Sequence, residues 1–308
     1  EIMPSLVGSE MCIRDSYNSV KRLPKCFMSL VEQSIGIDNL ELIFVNDAST
    51  DDGQTWDMLK EMEKAYPESI IIIDLPYNRR QGGARNEGLK YASGEYIAFV
   101  DSDDWIEEGL YEKAYLKAKE KDADIVQFNY NYYFDNVGIV CNKNEMKDEY
   151  IEIKCADDRK NMLIMEKFTY GCWNKLYKRS MVINANTAFA ENVIYEDLDF
   201  LINIALKINN TANVKEILYI YKNNDNSASH NNREQIKFND MLAVYKAIDR
   251  LKYDCNVDEA IKYAKITCIA GAIGICLMNQ DNNQFSLEDN LLNLRSISKK
   301  ELVNWENN

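Results

Sequence analysis

From residue 23 onward the sequence alternates helix-like segments with short runs of consecutive apolar residues, and this rhythm restricts the fold most. Strands buried on both faces are apolar at consecutive positions, and their alternation with helices is typical of a parallel sheet covered by helices. We therefore predict an α/β fold with a mostly parallel sheet. The predicted strands are 40–46, 69–75, 96–100 and 124–133, and the predicted helices are 23–35, 55–65, 84–92 and 110–121.

Beyond Asp135 the sequence becomes asparagine-rich and its periodicity weakens. It predicts a hairpin within 137–154, helices over 157–167 and 197–208, and a strand over 214–221. From Arg233 it predicts helices alone, over 233–253, 257–279 and from 286. The polar linker 223–233 then separates a domain of residues 17–225 from a helical C-terminal extension of residues 226–308.

The net charge of −14 bears on partners. Nucleic acid would be repelled at long range, so we expect no nucleic-acid partner, whereas a local site can still bind a small anion. Eight cysteines with no C-x-x-C pair, beside a single histidine, favour reduced thiols in a cytoplasmic protein.

The longest apolar run, Ile266 to Met278, is shorter than the roughly 20 residues that span a bilayer. We predict no transmembrane segment and a buried helix at this position. The alternative is docking of this helix on a membrane or a partner, which would make the protein cytoplasmic and membrane-peripheral.

Polar clusters follow three of the predicted strands. They are "NDASTDDG" (46–53), "NRRQGGARNEG" (78–88) and "DSDD" (101–104). In an open α/β sheet, ligands bind where loops leave the carboxyl ends of the strands. The sequence therefore predicts that these clusters line one ligand site.

The acidic cluster suits a metal. Asp101 and Asp103 lean to one side if the chain stays extended through Ser102, and converging carboxylates with diphosphate oxygens are ligands that Mg2+ or Mn2+ accepts. The alternative is that Asp104 caps the next helix while the other two acids are solvated. In the second cluster, Gly82 and Gly83 would allow close approach of a ligand, and its arginines would pair with phosphate or with acids.

The order of these motifs resembles the family 2 glycosyltransferases of the GT-A fold, of the bacterial cell-surface or capsular polysaccharide type. The matching segments are "YN" (17–18), "FVNDASTD" (44–51), "GGARNEGL" (82–89), "FVDSDD" (99–104) and "YEDLDF" (195–200). The resemblance implies a Rossmann-like GT-A domain that binds a nucleotide-sugar and a divalent cation.

The resemblance implies roles on the donor side. Tyr17 and Asp47 would hold the base, uracil by expectation, and Arg85 would lie near the base or the diphosphate. Asp101 would contact the ribose side and Asp103, with Asp101, would bind the metal. The segment "NSASH" is similar to a family loop, so that Ser227 or His230 would close over the diphosphate.

It also implies roles on the acceptor side. Asp197 would be the catalytic base, and the acceptor pocket would be lined by Trp173, Asn174, Lys175 and Glu196. Displacement at an anomeric carbon needs a base for the acceptor hydroxyl and charge stabilisation on the leaving diphosphate, so one base and one metal fit inversion. The alternative for Glu196 and Asp197 is that they are first-turn acids favoured by the helix dipole.

The sequence thus predicts a metal-dependent, inverting transfer from a UDP-sugar to a hydroxyl of a glycan, lipid-linked or cell-surface acceptor. A non-catalytic nucleotide-sugar-binding scaffold of the same fold is the alternative. A nucleotidyltransferase is a weaker one, because no Gly-rich, Lys-bearing loop follows the first strand position.

The N-terminus departs from the family pattern. Arg14, Asp15 and Ser16 are poor residues for a central strand that is buried on both faces. Residues 1–16 look non-native, and the segment from Pro4 to Ser16 resembles translated adapter sequence. If it is adapter sequence, the chain lacks the native strand at the middle of its sheet. Asn46 and Ala48 also replace the family's usual Asp and Gly.

Overall fold

The computed structural model describes residues 10–143, 145–165, 167–169, 171–223, 234–250, 258–279 and 285–306. The first half alternates strands and helices as predicted. Its strands are β1 (Glu10–Ser16), β2 (Leu40–Asn46), β3 (Ile70–Asp74), β4 (Tyr96–Phe99), β5 (Trp105–Ile106) and β6 (Ile125–Phe134). Its helices are α1 (Leu23–Val31), α2 (Gln54–Ala65), α3 (Arg80–Tyr91) and α4 (Leu110–Lys121).

The second half is less regular. Its strands are β7 (Gly138–Val140), β8 (Tyr150–Glu152), β9 (Lys175–Lys178) and β10 (Asn210–Lys222). Its helices are α5 (Ala156–Ile164), α6 (Arg179–Ala185), α7 (Glu196–Ala205), α8 (Glu234–Asp249), α9 (Asp258–Met278) and α10 (Leu287–Glu306). The predicted hairpin within 137–154 is wrong, because β7 pairs with β6 and β8 pairs with β10.

The strands form one sheet in the order β3-β2-β1-β4-β9-β6-β10-β5. The first four in this order are parallel neighbours, and β9 runs antiparallel between β4 and β6. The α/β prediction is confirmed, with a mixed sheet because β9 is inserted. The chain passes from β1 to β2 and β3, then returns to the other side of β1 as β4. This reversal creates a crevice at the carboxyl ends of β1 and β4, where ligands of such sheets bind.

A strand formed by Glu10–Ser16 occupies the position of the first strand in the sheet, although Arg14, Asp15 and Ser16 depart from the family pattern. Glu10–Ser16 pairs in parallel with β2 and β4, with Ile13 opposite both Ile43 and Phe99. A backbone ladder needs only N–H and C=O groups, so it forms even where side chains are unfavourable. The non-native origin of residues 1–16 stays a hypothesis.

Two apolar cores cover the two faces of the sheet. In β2, Leu42 and Phe44 point to one core, whereas Ile43 and Val45 point to the other, which is the two-residue period of a strand. Phe238 of α8 belongs to the same core as Ile43. Helix α8 packs on α7 and α9, so the C-terminal helices join this core through the helices that cover the sheet.

Helix α9 (Asp258–Met278) is longer than the apolar run Ile266 to Met278 that the sequence shows. Within the described residues, Ile261–Met278 is the one helical stretch long and apolar enough to cross a membrane. One side of this helix is buried, through Cys268 and Ala272, whereas Ile273 and Leu277 are exposed. The predicted buried helix is thus present, but its length does not exclude a membrane span.

Candidate active site at the crevice beside the first strand

The loops that leave β1 and β2 are joined by hydrogen bonds. Asn18 Oδ1 accepts a hydrogen bond from Thr50 N (2.8 Å), and Asn18 N donates one to Ser49 Oγ (3.0 Å). The hydroxyl of Tyr17 lies 3.4 Å from Thr50 Oγ1, and Tyr17 is 43% exposed. An exposed aromatic side chain is therefore held at the rim of the crevice.

Asp47, the second predicted base contact, is buried. Its Oδ1 accepts a hydrogen bond from Arg79 N (2.7 Å), and its backbone oxygen accepts one from Asn78 Nδ2 (3.0 Å). Burial raises the pKa of Asp47, and the N–H of Arg79 opposes this rise. Asp47 thus fixes the start of α3, and its contact with a base stays a prediction.

The acidic loop 101–104 uses its three acids differently. Asp104 is 1% exposed, and its carboxylate accepts hydrogen bonds from the Tyr219 hydroxyl (2.5 Å) and from Lys222 N (2.7 Å). Burial raises the pKa of Asp104, and the neighbouring charges of Asp103 and Asp101 add to this. The alternative that Asp104 caps the next helix is wrong, because α4 begins at Leu110.

Arg85 joins the acidic loop to the start of α7. Its Nη2 donates to Asp101 Oδ1 (2.8 Å) and its Nη1 donates to Glu196 Oε1 (2.6 Å), while Arg85 is 3% exposed. A planar guanidinium is suited to hold two carboxylates in fixed positions. The structure therefore brings together three residues that the sequence placed far apart.

The other arginines of this cluster also pair with the protein. Arg79 binds Glu87 (3.0 Å) and Glu191 (2.5 Å), and Arg80 Nη1 donates to Asn192 O (2.7 Å). These contacts realise the pairing with acids that the sequence allowed, and the pairing of these arginines with phosphate stays a prediction.

The paired glycines allow helix packing rather than approach of a ligand. A Cβ on Gly82 would lie 2.1 Å from the backbone oxygen of Ala190 and 3.1 Å from Glu196 Cβ. The prediction that Gly82 and Gly83 admit a ligand is therefore wrong for Gly82. Because these glycines are part of α3, the helix begins at Arg80 and not at the predicted Ala84.

Helix α7 begins with the predicted catalytic acid. Asp197 is partly buried, and burial raises its pKa, with Arg85 opposing the rise and Asp101 adding to it. Glu196 is 3% exposed, and burial raises its pKa to about 8 against the effect of Arg85. Glu196 Oε2 has no hydrogen-bond partner within the described residues. The Glu196 carboxyl is buried against Arg85, and the role of Glu196 on the acceptor side stays a prediction.

Asn174 and Lys175 are buried as well, so the structure gives neither a surface toward an acceptor. Lys175 Nζ donates to Thr169 Oγ1 (2.6 Å), Gly171 O (2.7 Å) and Asn174 Oδ1 (3.0 Å), and burial lowers its pKa to about 7. The charge of Lys175 acts on Asp197 and favours its carboxylate. Asn174 and Lys175 therefore belong to the buried surroundings of Asp197.

Trp173 remains partly exposed, and its ring stacks on Tyr219 with centroids 4.7 Å apart. Sequence reasoning missed Tyr219, which reaches the acidic loop from β10, and Ser19, whose Oγ donates to Ser102 Oγ (3.2 Å). The aromatic alternation in "LYIYK" was a signal for a strand, but it gave none for a site. Ser227 and His230 lie outside the described residues.

The acidic loop fits a divalent cation through one residue. Asp101 binds Arg85 and Asp104 binds Tyr219, while Asp103, 21% exposed in its side chain, pairs with Arg22 at 3.6 Å. No group of three or more His, Cys, Asp or Glu side chains in the described ranges could hold a metal ion. A cation at Asp103 would take its other ligands from diphosphate and water, which suits Mg2+ or Mn2+.

An α/β sheet with acidic, arginine-bridged loops at its switch point is the class of site that activated phosphate-linked substrates use. Residues 13–184, more than half of the chain, match the family described as Glycosyl transferase family 2. The chain belongs to this family, and it is a glycosyltransferase.

Individual glycosyltransferases are similar to this chain in sequence or in fold. The chain is 29% identical to EpsH of Bacillus subtilis over 86% of this chain and 75% of EpsH. It is 31% identical to the poly(ribitol-phosphate) beta-glucosyltransferase of Bacillus spizizenii over 67% of this chain, but over only 31% of that longer protein. The crystal structure of S. aureus TarS 1–349 with UDP-GlcNAc has a similar fold, with a TM-score of 0.74, 20% identity and coverage of 93% of this chain and 80% of that one.

Proposed function

We propose that the protein transfers a sugar from a uridine diphosphate sugar to a hydroxyl of a glycan or polyol-phosphate acceptor, with inversion at the anomeric carbon. The observation that carries this proposal is Arg85, which holds Asp101 of the donor-side loop and Glu196 of α7 at 2.8 and 2.6 Å. This contact draws the acidic loop and Asp197 to one crevice.

The neighbours support the choice of donor and acceptor. TarS was solved with UDP-GlcNAc, and a mannosyltransferase of Pyrobaculum calidifontis, with a TM-score of 0.58, was solved with GDP-Man and Mn2+. The relative from Bacillus spizizenii is named for poly(ribitol-phosphate). Tyr17 and Asp47 would face the base in this proposal.

Asp197 would accept the proton of the acceptor hydroxyl. A carboxylate is a more effective base when its pKa approaches the working pH, and burial raises the pKa of Asp197. The charges of Arg85 and Lys175 oppose this rise and favour the carboxylate form of Asp197. A divalent cation at Asp103 would supply charge stabilisation for the departing diphosphate.

The test measures transfer and hydrolysis of UDP-sugars with Mn2+, with and without chelator. Asp197→Asn should lose turnover and keep UDP binding. Asp103→Asn should lose the turnover that Mn2+ supports. Asp199→Asn, in the same first turn of α7, and Asp52→Asn, in the loop after β2, are matched controls that should stay active.

The alternative, a non-catalytic nucleotide-sugar-binding scaffold, predicts a different result. It requires UDP binding without turnover for any donor or acceptor in the unaltered chain. The proposal is abandoned if Asp197→Asn turns over as fast as Asp199→Asn.

A further inference from the structure

A groove lies outside the crevice, between α1 and the segment that follows the acidic loop. It has a volume of about 620 Å³ and is lined from one side by Pro24, Lys25, Met28, Ser29 and Glu32 and from the other by residues 105–108. Arg22, which directly precedes α1, lies 3.6 Å from Asp103. Both walls of the groove therefore directly follow residues of the proposed donor site, α1 after Arg22 and residues 105–108 after the acidic loop.

Lys25 is the cation of this groove. Its Nζ lies 2.9 Å from the centroid of the Trp105 ring and 5.2 Å from that of Tyr133. Within the described residues it forms neither an ion pair nor a hydrogen bond. An ammonium that is held on an aromatic face, with its N–H donors unused by the protein, is available to an anion.

A second cation strengthens the positive potential at this end. Lys222 Nζ lies 6.0 Å from the same Tyr133 ring, where it also binds Asp135 at 2.9 Å. Burial lowers the pKa of Lys25 and the charge of Lys222 lowers it further, whereas the charges of Glu107 and Asp135 oppose this. Two lysines therefore lie at this end of the groove, and Asp135 pairs with one of them, Lys222.

The rest of the groove has different chemistry. Met28, 47% exposed, gives an apolar wall, and Glu32, Glu107 and Glu108 offer carboxylates that accept hydrogen bonds from hydroxyl groups. A continuous polyanion would be repelled by these acids. One phosphate flanked by hydroxyl-bearing carbon chains fits all three parts of the groove.

We propose that this α1–β5 groove binds one phosphodiester of a polyol-phosphate or sugar-phosphate acceptor chain, with the phosphate at Lys25 and the neighbouring hydroxyls at the glutamates. The proposal deepens the proposed function by naming the acceptor class, and it rests on that function for the word acceptor. The groove would hold the chain while another of its units enters the crevice.

The experiment measures binding of a soluble glycerol phosphate oligomer by calorimetry, with a neutral maltooligosaccharide of similar length for comparison. Lys25→Gln should bind the oligomer about fivefold to tenfold more weakly than the unaltered chain, the loss of one partly exposed charge contact. Lys25→Arg should retain binding. The matched control is Lys60→Gln, which removes a lysine that also lies near a tryptophan, 6.0 Å from Trp56, and should change nothing.

Several results would overturn the groove proposal. They are absence of oligomer binding, equal affinity of Lys25→Gln, equal affinity for the neutral glycan, or displacement of the oligomer by saturating UDP, which would assign the anion to the donor site. Lysine-dependent binding to phosphatidylglycerol vesicles but not to the oligomer would assign the groove to lipid headgroups instead.

Donor turnover is measured separately on the same samples. If the unaltered chain binds the oligomer but turns over no donor, the proposed function is refuted and the groove remains an anion site.

Discussion

Tyr219 and Asp104 attach the acidic loop to the sheet. The Tyr219 hydroxyl donates to Asp104 Oδ2 over 2.5 Å and accepts a hydrogen bond from Asp101 N over 3.2 Å. Asp104 Oδ1 accepts another from Lys222 N over 2.7 Å. Asp103 lies in the loop between Asp101 and Asp104. Its position is therefore set by Tyr219 of β10, a residue that need not touch substrate.

Tyr219→Phe tests this positioning role. The change leaves a buried carboxylate oxygen without its donor, so the free energy of unfolding should fall by about 1–3 kcal/mol. The Mn2+ concentration for half-maximal turnover should rise, because Asp103 is no longer held. In an Asp104→Asn background the same change should cost much less, and equal costs in both backgrounds would contradict the coupling.

Arg85→Met should be among the most destabilising single changes. It leaves the buried Glu196 carboxyl without its hydrogen-bond donor, and leaving a buried polar group unsatisfied costs about 1–3 kcal/mol. Urea unfolding checks the value. The double variant Arg85→Met, Glu196→Met should recover a large part of the loss, whereas Arg85→Lys should not, because one ammonium cannot bind both carboxylates. A fully stable Arg85→Met variant would refute the buried-pair interpretation.

Gly82→Ala and Gly274→Ala form a matched pair, since both glycines lie in helices. A Cβ on Gly82 would meet the backbone oxygen of Ala190 at 2.1 Å, whereas nothing lies within 4 Å of one on Gly274. We expect thermal unfolding to show a loss of about 1–3 kcal/mol for Gly82→Ala, as for overpacked sites. Gly274→Ala should gain up to about 1 kcal/mol from helix propensity. Equal effects at both positions would contradict the close packing of α3.

The sequence predicted the regular elements better than the contacts of the site. Strand β2 and helix α4 lie at their predicted residues, because an unbroken apolar run and a clear helical period mark them. Strand β9, only four residues long and antiparallel, carries too short a pattern to be seen. A helix cap was the alternative that the neighbours of Asp104 suggested, but its partner Tyr219 lies 115 residues further along the chain. Such contacts depend on which strands pair and in which register. A local sequence pattern carries no information about either.

Ala48 occupies a backbone conformation that favours glycine. Its φ is +53°, in the left-handed region, at the position where the family usually has Gly. We expect Ala48→Gly to raise the free energy of unfolding by about 0.5–1 kcal/mol, since the relief of strain exceeds the entropy cost of glycine. Ala48→Val should lower it, because a β-branched residue tolerates this region poorly. Denaturation with urea distinguishes the two signs, and a stabilising valine would contradict the assigned φ.

Glu196 predicts how stability depends on pH. Burial raises its pKa from 4.5 to about 8 in the folded protein, so between these values the folded state binds more protons than the unfolded one. Stability from this group is therefore fully present below pH 4.5 and is lost as the pH rises toward 8, with a slope of at most about 1.4 kcal/mol per pH unit. Urea unfolding from pH 5 to 8 should show the unaltered chain losing stability relative to Glu196→Gln. Glu191→Gln is the matched control: Arg79 lowers the pKa of Glu191, so this variant should show no such loss in that range. A difference in stability between the unaltered chain and Glu196→Gln that stays constant from pH 5 to 8 would mean that Arg85 keeps Glu196 ionised throughout.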